Sequence, residues 1–315
     1  MTVADELSAV LTQPLQHHAS LHEYTTLRVG GTARYLATVN SEQELRGVAQ
    51  IITEYGLSWW ILGRGSNTLV SDDGFDGLVL VLGRGFRGIV IDGLIARVGA
   101  AEPLPILAST LADNGLAGFS WGCGVPGAVG GAVRMNAGAH GRDMADNLIE
   151  VDVYRLSLQA RETWPRDALG LQYRRSELPK DAIVLSATFQ FALGDPAVLR
   201  DEVAEIRQWR RDHQPLNQPN CGSVFANPAS EQPAAQLIDR CGLKGFTIGG
   251  ASVSTTHANF IVTSLGATAS DVVALIDAVK QRVHVTTGVM LREEVVMLAS
   301  GGVRLAAQPQ ENDTA

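Results

Sequence analysis

The residues best suited to chemistry begin with a glycine-rich stretch at 118–141, which reads GFSWGCGVPGAVGGAVRMNAGAHG. It holds eight glycines in 24 positions and carries almost no charge. Glycine permits tight turns and close approach of the backbone to a ligand. Backbone N–H groups exposed in such turns bind phosphate. The stretch therefore indicates a cradle for a large phosphorylated cofactor, and the alternative is a loop that packs closely against a core.

A second glycine-rich turn, GRGSN at 63–67, lies between two apolar stretches. Its backbone N–H groups, serine hydroxyl and asparagine amide would suit a pyrophosphate. It lacks the Gly-Lys-Ser/Thr ending of a P-loop, and it is not a GxGxxG turn within a βαβ unit. Two such turns in one domain favour phosphate binding more than either does alone, although ordinary turns remain the alternative.

Two polar motifs follow, YRRSEL at 173–178 and NCGSVFANP at 220–228. The guanidinium groups of the first could bind a carboxylate or phosphate in bidentate fashion, or could be solvated charges on a loop. In the second, Ser223 follows a glycine in a polar turn, where it could donate a proton or simply form the turn. It is not a G-x-S-x-G nucleophile, which disfavours a serine hydrolase.

The last motif, LREEVV at 291–296, puts two carboxylates at the start of an apolar strand. Strand alternation sends Glu293 and Glu294 to opposite faces. We expect one to be a solvated charge and the other to face inward, as a candidate acid or anchor. The seven histidines show no metal-ligand spacing, so no metal site is predicted, and only His257 is a candidate supporting group.

Composition limits the classes of partner. The formal net charge of −8 and a pI near 5.4 disfavour nucleic acid and anionic membranes. The cysteines, Cys123, Cys221 and Cys241, form no CxxC pair, which favours a reducing compartment. There is no signal-peptide pattern at the N-terminus and no apolar stretch of about 20 residues. We therefore expect a soluble cytoplasmic protein.

The pattern of elements predicts a mixed α+β protein rather than a regular βαβ series. Predicted helices lie within 1–22, from the capping box at Ser41, and at 103–114, 195–211, 234–241 and 268–285. Predicted strands lie at 24–36 with a turn at the paired glycines, on both sides of 63–67, and at 78–82, 88–91, 95–98, 148–154, 162–164, 183–191, 260–262 and 294–298. In the charged helix 195–211 the apolar members are Val198, Val203, Ile206 and Trp209.

These pieces occur together in one family. YTTLRVGG, LGRGSN, GVPGAVGGAVRMNAGAHG, YRRS, GSVFANP, HANFIV and LREEV follow one another between Tyr24 and Leu298. In this order and spacing the chain resembles the UDP-N-acetylenolpyruvoylglucosamine reductases, in their shorter, type II branch. The resemblance implies an α+β, vanillyl-alcohol-oxidase (PCMH-type) FAD-binding domain at 23–194 and a smaller α+β substrate-binding domain at 195–306. Residues 1–22 would form a lead-in and 307–315 a flexible tail.

The resemblance also implies an activity, an oxidoreductase step of peptidoglycan precursor synthesis. NADPH would reduce non-covalently bound FAD, and flavin N5 would deliver hydride to C3 of UDP-N-acetylglucosamine enolpyruvate. Arg174 would hold the substrate carboxylate with Glu294 as its companion, and Ser223 would donate a proton to C2. The product would be UDP-N-acetylmuramate.

Contact residues carry over by motif position. The cofactor contacts would be Gly63, Arg64, Gly65, Ser66, Asn67, Gly124, Val125, Pro126, Gly127, Gly130, Gly131, Asn136, Ala137 and Gly138. The substrate contacts would be Tyr173, Arg174 and Asn227. Ala226 departs from the basic or long polar residue of many relatives, so Arg210, Arg211 or Lys244 would compensate at the substrate phosphates. The partners would be small molecules alone, with no nucleic acid and no membrane, and the protein would be a monomer.

Three other functions stay open at this point. One is a flavin oxidoreductase of the same fold with another substrate, and a second is a non-catalytic protein that binds flavin or a nucleotide sugar. A nucleotide-sugar transferase is the third, and it would depend on a metal. A binding protein has no need of Arg174, Ser223 and Glu294 together, so this set favours an enzyme. Cys221 is either a small turn residue or a site of oxidation.

Overall fold

A computed structural model describes residues 1–228 and 232–299 and the backbone of 302–304. The chain forms two compact units, each assembled from separate stretches of sequence. The first unit contains Met1–His17, Tyr35–Arg64 and Leu78–Arg210, and the second contains His18–Arg34, Gly65–Gly77 and the chain from Arg211 onward. The domain boundaries expected near 22 and 194 stay a prediction, and the tail expected at 307–315 lies outside the described residues.

Helices account for seven elements of the described chain. They are α1 Val3–Val10, α2 Glu42–Tyr55, α3 Leu104–Asp113, α4 Val129–Arg134, α5 Pro196–His213, α6 Ala234–Arg240 and α7 Ala269–Thr287.

Strands account for twenty elements of the same residues. They are β1 Gln16–Ser20, β2 Thr32–Val39, β3 Trp59–Ile61, β4 Thr68–Val70, β5 Phe75–Leu82, β6 Ile89–Asp92, β7 Ile95–Gly99, β8 Leu116–Ala117, β9 Gly138–Ala139, β10 Arg142–Asp143, β11 Leu148–Arg155, β12 Ala160–Pro165, β13 Ala182–Gln190, β14 Ala192–Leu193, β15 Asn220–Ser223, β16 Thr247–Ile248, β17 Ala251–Val253, β18 Phe260–Thr263, β19 Val296–Ala299 and β20 Gly302–Arg304. One four-stranded sheet has the order β1-β2-β5-β3.

The first unit is built on a five-stranded antiparallel sheet of order β12-β11-β13-β7-β6. Its core contains a cluster of aromatic rings, in which the Phe119 and Trp121 centroids lie 4.8 Å apart and those of Phe119 and Phe189 lie 5.9 Å apart. Side chains from α3 and α4 complete this core. The sheet and the aromatic cluster therefore support the glycine-rich stretch that contains α4.

A second core in the first unit lies beneath α2. Leu45, Val48 and Ile52 recur at helical spacing and are buried. Ser41 begins the helix as predicted, because its hydroxyl accepts a hydrogen bond from the Glu44 N–H at 3.1 Å. The Glu44 carboxylate binds the Asn40 N–H at 2.8 Å.

The second unit combines a four-stranded antiparallel sheet, β15-β18-β17-β16, with a three-stranded sheet, β20-β19-β4. One face of α7 packs into its core through Val272, Leu275, Ile276 and Val279. In the second sheet, β19 pairs in parallel with β4, although these strands come from opposite ends of the chain. The unit therefore depends on stretches of sequence that lie far apart.

Most elements expected from the sequence are confirmed, and two strands begin later than expected. The strand expected from residue 24 begins only at Thr32, because Gly30 and Gly31 pack against the backbone of 70–72; a Cβ on Gly30 would lie 2.5 Å from the Val70 carbonyl oxygen. The strand expected from 294 begins at Val296. In α5, the buried residues are Leu199 and Val203.

Only part of the apolar face of α5 is buried. Of its apolar members, Val203 is buried, whereas Val198 and Trp209 are 55% and 42% exposed. The buried stripe of α5 is narrow, because only Leu199, Val203 and Ile206 pack on the core of the first unit.

The start of α7 generates a prediction. Thr268 and Asp271 form the expected capping box, and the Asp72 carboxylate, from a distant stretch, accepts hydrogen bonds from Ala269 N–H at 2.7 Å and Ser270 N–H at 2.9 Å. Burial opposes ionisation of Asp72, but the hydrogen bonds from Ser270 and Ala269 outweigh it and lower its pKa. We expect Asp72→Ala to lower the free energy of unfolding by about 1–2 kcal/mol at pH 7.

Urea unfolding of both proteins across pH measures this. Because the folded pKa of Asp72 lies below its unfolded value, its contribution is complete above the unfolded pKa and is lost as pH falls through the folded one. The difference between wild type and Asp72→Ala should therefore shrink in acid. Asp73→Ala, which removes the neighbouring exposed carboxylate, is the control. A difference that stays constant with pH would contradict the capping role.

Candidate active site

The backbone segments that carry Ser223 and Glu294 lie side by side in the second unit. β15 ends at Ser223, which lies opposite Phe260 of β18. The next residue, Val224, accepts a hydrogen bond through its carbonyl from the Glu294 N–H at 2.7 Å. Both side chains are half-buried. The two candidate catalytic residues therefore lie on backbone segments that are joined directly, although they are 71 positions apart in sequence.

Asn259, which was not predicted as a site residue, fixes the backbone at Val224 and Phe225. Its side chain is 4% exposed. Its Nδ2 donates to the Phe225 carbonyl at 2.8 Å, and its Oδ1 accepts from the Phe225 N–H at 3.0 Å. Its own carbonyl accepts from the Val224 N–H at 2.9 Å. The available signal was an amide within the apolar run HANFIV, since a buried amide must find partners.

The expectation that one of the two glutamates is a solvated charge is wrong, because both side chains are half-buried. The Glu293 side chain is only 12% exposed, and its Oε1 lies 2.5 Å from Lys280 Nζ. Regular strand alternation does not apply to the pair because the strand begins at Val296; Glu293 forms only an isolated bridge with Phe225. Glu293 is therefore a structural ion-pair member, and the role of Glu294 stays a prediction.

The GRGSN turn reaches the same segment through Asn67. Asn67 Nδ2 donates to the Glu294 carbonyl at 2.9 Å, and the Asn67 carbonyl accepts from the Val296 N–H at 3.0 Å. Gly65 has φ of +63°, and a Cβ there would lie 2.0 Å from the Tyr24 carbonyl oxygen, so this position requires glycine. The end of the predicted cofactor turn is thereby attached to Glu294.

The two glycine-rich stretches are also in contact within the first unit. Arg64 Nε donates to the Pro126 carbonyl at 3.0 Å. Of the other predicted contact residues, Ser66, Val125, Gly127 and Ala137 are half-buried and Pro126 is exposed. This contact brings the turn at 63–64 to the loop at 126, as binding of one cofactor by both would require.

The glycines of the predicted cradle divide into two kinds. Around Gly63 and Gly131 the space that a Cβ would enter is open, with no atom within 4 Å among the residues described. By contrast, a Cβ on Gly130 would lie 3.1 Å from Ala100 Cβ, and one on Gly138 would lie 2.3 Å from the Arg142 carbonyl oxygen. At Gly124 the nearest atom, from Ile206, is 3.5 Å away. The packing interpretation therefore holds for Gly130 and Gly138, whereas cofactor contact by Gly63 and Gly131 stays a prediction that the open space allows.

The start of α4 is only partly available to a phosphate. The Val129 N–H donates to the Glu102 carbonyl at 3.0 Å, and the Gly130 N–H donates to the Ala100 carbonyl at 2.8 Å. These donors, which would face an anion at an open helix terminus, are used by the protein. Gly131, one residue later, is the exposed glycine that borders open space.

Asn136 has a structural role that the sequence did not suggest. It is 2% exposed and takes the left-handed conformation with φ of +41°. Its Nδ2 donates to Asp143 Oδ2 and to the Gln172 carbonyl, both at 3.0 Å, and its Oδ1 accepts from the Ala145 N–H at 3.1 Å. The protein thus occupies both donors and one acceptor site of the amide, and cofactor contact by Asn136 stays a prediction.

Arg174 lies at the tip of a two-residue turn. Gln172 and Arg175 exchange backbone hydrogen bonds of 2.9 and 3.0 Å, which leaves Tyr173 and Arg174 between them. Arg174 has φ of +58°, a region that turns normally assign to glycine or asparagine. Its guanidinium lies 5.1 Å from the centre of the Tyr173 ring. Such strained residues concentrate at functional sites, which makes this arginine the principal candidate of the first unit.

The candidate substrate contacts around Ala226 have structural partners. Asn227 Oδ1 accepts from the Ala234 N–H at 3.1 Å, at the start of α6. Ala226 is buried, and its N–H donates to the Arg292 carbonyl at 3.0 Å. Lys244, one of the cations expected to compensate, pairs with Asp239 at 2.9 Å. Compensation by Arg210, Arg211 or Lys244 stays a prediction.

Two titratable groups near Ser223 are inert in this structure. Burial raises the pKa of Cys221 to about 12, so its thiol stays protonated and the small-residue interpretation is favoured over oxidation. Burial, helped by the charge of Lys244, lowers the pKa of His257. The His257 ring packs 4.7 Å from Phe260, and its Nδ1 accepts from the Asn259 N–H at 3.3 Å. His257 therefore supports Asn259 as a neutral residue.

Within 1–228, 232–299 and 302–304, no group of three or more His, Cys, Asp and Glu side chains could hold a metal ion. In that part of the chain, no helix has the length and apolar character needed to cross a membrane.

Comparison with known proteins links this geometry to one family. Residues 33–155 match an FAD binding domain, and residues 214–298 match the C-terminal domain of UDP-N-acetylenolpyruvoylglucosamine reductase. The reductase of Halalkalibacterium halodurans is 39% identical over 298 residues, which cover 94% of this chain and 98% of the relative. That of a Synechococcus strain is 44% identical over 290 residues, covering 90% and 93%.

A solved structure agrees. The crystal structure of UDP-N-acetylenolpyruvylglucosamine reductase from Thermus caldophilus superimposes with a TM-score of 0.77 at 36% identity, covering 89% of this chain and 97% of that one. The expected fold, a PCMH-type FAD-binding domain followed by a second α+β domain, is confirmed. The chain belongs to the UDP-N-acetylenolpyruvoylglucosamine reductase family of oxidoreductases.

Proposed function

We propose that the chain uses NADPH and FAD to reduce UDP-N-acetylglucosamine enolpyruvate to UDP-N-acetylmuramate. The observation that carries the proposal is the hydrogen bond of 2.7 Å from the Glu294 N–H to the carbonyl of Val224, the residue that follows Ser223. Asn67 attaches the predicted cofactor turn to Glu294 at 2.9 Å. A proton donor, a carboxylate and a cofactor turn are the parts that this reduction requires.

The residues that would hold FAD are those bordering open space. Gly63 and Gly131 supply that space, and the Arg64–Pro126 hydrogen bond of 3.0 Å fixes one glycine-rich turn against the other. Val129 and Gly130 are assigned to packing because their N–H groups are already bound. Bound FAD, once reduced by NADPH, would supply the hydride that adds to C3 of the enolpyruvyl double bond.

Arg174 binds the substrate carboxylate in this proposal. Charge develops at C2 and spreads into that carboxylate as C3 is reduced. A planar guanidinium can hold both carboxylate oxygens, and fixed donors aimed at developing charge are the strongest contributors to catalysis. The strained φ of +58° at Arg174 supports a preorganised role. Glu294, as its companion, stabilises the same group by donating a hydrogen bond in its protonated form.

Ser223 donates the proton that C2 requires. Its Oγ is the donor, and the alkoxide that forms is reprotonated from solvent. A neutral serine is a weak acid, and it serves here because the acceptor is a strongly basic, carbanion-like carbon. The ladder partner Phe260 and the Asn259 hydrogen bonds on both sides of Phe225 support a fixed position for this residue.

The wider setting follows from the same family. We propose that the chain is a cytoplasmic monomer that acts in peptidoglycan precursor synthesis, with the FAD part ending near residue 194 and the substrate part beginning at 195. NADPH rather than another donor would reduce the cofactor.

An anaerobic absorbance titration tests the function. The purified protein should show a flavin band that bleaches with NADPH and returns when UDP-N-acetylglucosamine enolpyruvate is added. A protein that cannot be reconstituted with FAD would remove the proposal. A band that bleaches and is not reoxidised by the sugar would retain the flavin site and exclude this substrate.

Replacement of Ser223 separates the two half-reactions. We expect Ser223→Ala to leave flavin reduction by NADPH near wild type and to slow reoxidation by the sugar substrate by about 10²–10⁴-fold, the usual contribution of a positioned acid. Stopped-flow absorbance measures both rates. Cys221→Ser, which alters a buried neighbour on the same strand, is the control. Equal losses in both half-reactions would refute the assignment of the proton donor.

The two adjacent glutamates should have different effects. Glu294→Gln should slow reoxidation by about 10²-fold or more, because an amide N–H is a much weaker acid than a protonated carboxyl group and donates a weaker hydrogen bond to the developing charge. Glu293→Gln should lower the melting temperature, since it weakens the ion pair with Lys280 at 2.5 Å, and should leave reoxidation little changed. The opposite assignment of effects would show that Glu293, rather than Glu294, serves the substrate.

Gly131 offers a test that separates cofactor binding from stability. Alanine is a better helix former than glycine by about 1 kcal/mol, and the space at Gly131 is open. Gly131→Ala should therefore preserve or raise the melting temperature of the apoprotein, while weakening FAD binding by about tenfold or more through the added methyl group. Fluorescence titration with FAD measures the affinity. Gly138→Ala, which would clash with the Arg142 carbonyl, should instead destabilise the protein. Unchanged FAD affinity in Gly131→Ala would exclude close approach at this position.

A further inference from the structure

Arg134, the last residue of α4, is a half-buried cation that the proposed chemistry does not use. Its Nη1 donates to the Leu178 carbonyl at 3.1 Å, and its Nη2 donates to the carbonyls of Pro179, at 3.0 Å, and Ala182. Burial lowers its pKa to about 10, which leaves the guanidinium charged at neutral pH. All three acceptors are backbone carbonyls, so the side chain holds the segment 178–182 in one shape.

A buried charge is expensive unless its donors are satisfied. A planar guanidinium with five N–H groups can reach several carbonyls at once, which a compact ammonium group cannot do with the same geometry. Replacement by an apolar side chain would also leave three carbonyls without this donor. The arrangement therefore indicates that a fixed conformation of the segment after Arg174 matters to the protein.

Residues 134–136 also bind the turn that carries Tyr173 and Arg174 through two further hydrogen bonds. The Arg134 carbonyl accepts a hydrogen bond from Ser176 Oγ at 2.7 Å. Asn136 Nδ2 donates to the Gln172 carbonyl at 3.0 Å. Residues 134–136 thus bind both limbs of the turn that carries Tyr173 and Arg174, one limb at 172 and the other at 176–182.

We propose that Arg134 is a positioning residue for Arg174, which it serves by fixing the limb of the turn from Ser176 to Ala182. The inference rests on the proposed function for its consequence in catalysis. Arg174 has φ of +58°, and a conformation of this kind persists only where the surroundings determine it fully. Arg134 supplies those surroundings from the glycine-rich stretch, so the loop expected to hold the cofactor also sets the residue expected to hold the substrate.

Hydrogen exchange tests the positioning without any turnover. The amides of Gln172 and Glu177 report the turn, because they donate to the Arg175 carbonyl at 2.9 Å and to the Leu169 carbonyl at 2.8 Å. In Arg134→Met both amides should exchange about tenfold faster or more, the factor expected from losing one or two net hydrogen bonds. Arg134→Lys should recover part of the protection. Arg175→Met, which removes an exposed guanidinium from the same turn, is the matched control.

The kinetic test asks whether Arg134 acts through Arg174. Arg134→Met should slow substrate reoxidation of the flavin by about 10²-fold, with flavin reduction by NADPH and FAD affinity near wild type. Combining it with Arg174→Lys should add no more than about twofold to the loss from Arg174→Lys alone, because residues in one arrangement are not additive. Additive losses, or equal losses in both half-reactions, would overturn the proposal.

Two outcomes keep the inference separate from folding and from the proposed function. If Arg134→Met fails to fold, Ser176→Ala removes only the 2.7 Å bond to the Arg134 carbonyl and should give the same pattern at smaller size. If the wild-type flavin is not reoxidised by the sugar substrate, the proposed function fails. The exchange rates of Gln172 and Glu177 then still decide whether Arg134 fixes the turn, and unchanged protection in Arg134→Met would refute it.

Discussion

The second unit depends on the backbone pairing of the segment 224–226, in which both groups of Val224, both groups of Phe225 and the Ala226 N–H are bound. The Val224 N–H and both backbone groups of Phe225 bind Asn259, whereas the Val224 carbonyl binds Glu294 and the Ala226 N–H binds Arg292. A buried backbone group without a partner costs about as much as a lost hydrogen bond. The segment consequently cannot shift without breaking several bonds at once, and Ser223 and Glu294 share its rigidity. The Asn259 side chain pairs with the Phe225 backbone as a neighbouring strand would, because its amide has the same donor and acceptor as a peptide group.

In the first unit, one stretch combines packing and open surface at neighbouring residues. Gly130 lies against Ala100, whereas Gly131 borders open space. Within a few residues, Arg134 and Asn136 turn inward and bind the loop that carries Arg174. Close packing on one side is what allows the other side to stay open and fixed in shape. The glycines at 118–141 are therefore not interchangeable, since some pack closely against the core and others border open space.

The fold and the identities of the candidate residues could be predicted from sequence where local rules decide the outcome. The caps at Ser41 and Thr268 and the order of elements fall into this class. Partners at long range could not be predicted. Neither the Glu293–Lys280 pair nor the three carbonyls around Arg134 leaves a periodic signal, because each depends on how separate elements pack. Strand alternation likewise failed at 293–294, where the backbone makes one isolated bridge before the regular strand begins.

The pairing of chain segments from opposite ends has a consequence for synthesis on the ribosome. Asn67 and Glu294 are 227 positions apart, and Leu27 and Thr263 are joined across 236. At translation rates of about 5–20 residues per second, Asn67 would wait roughly 10–45 s for its partner to be made. During that interval β4, a buried apolar strand, lacks the parallel neighbour β19 that pairs with it in the finished protein. The nascent chain would therefore carry a strand edge open to mispairing until the last strands emerge.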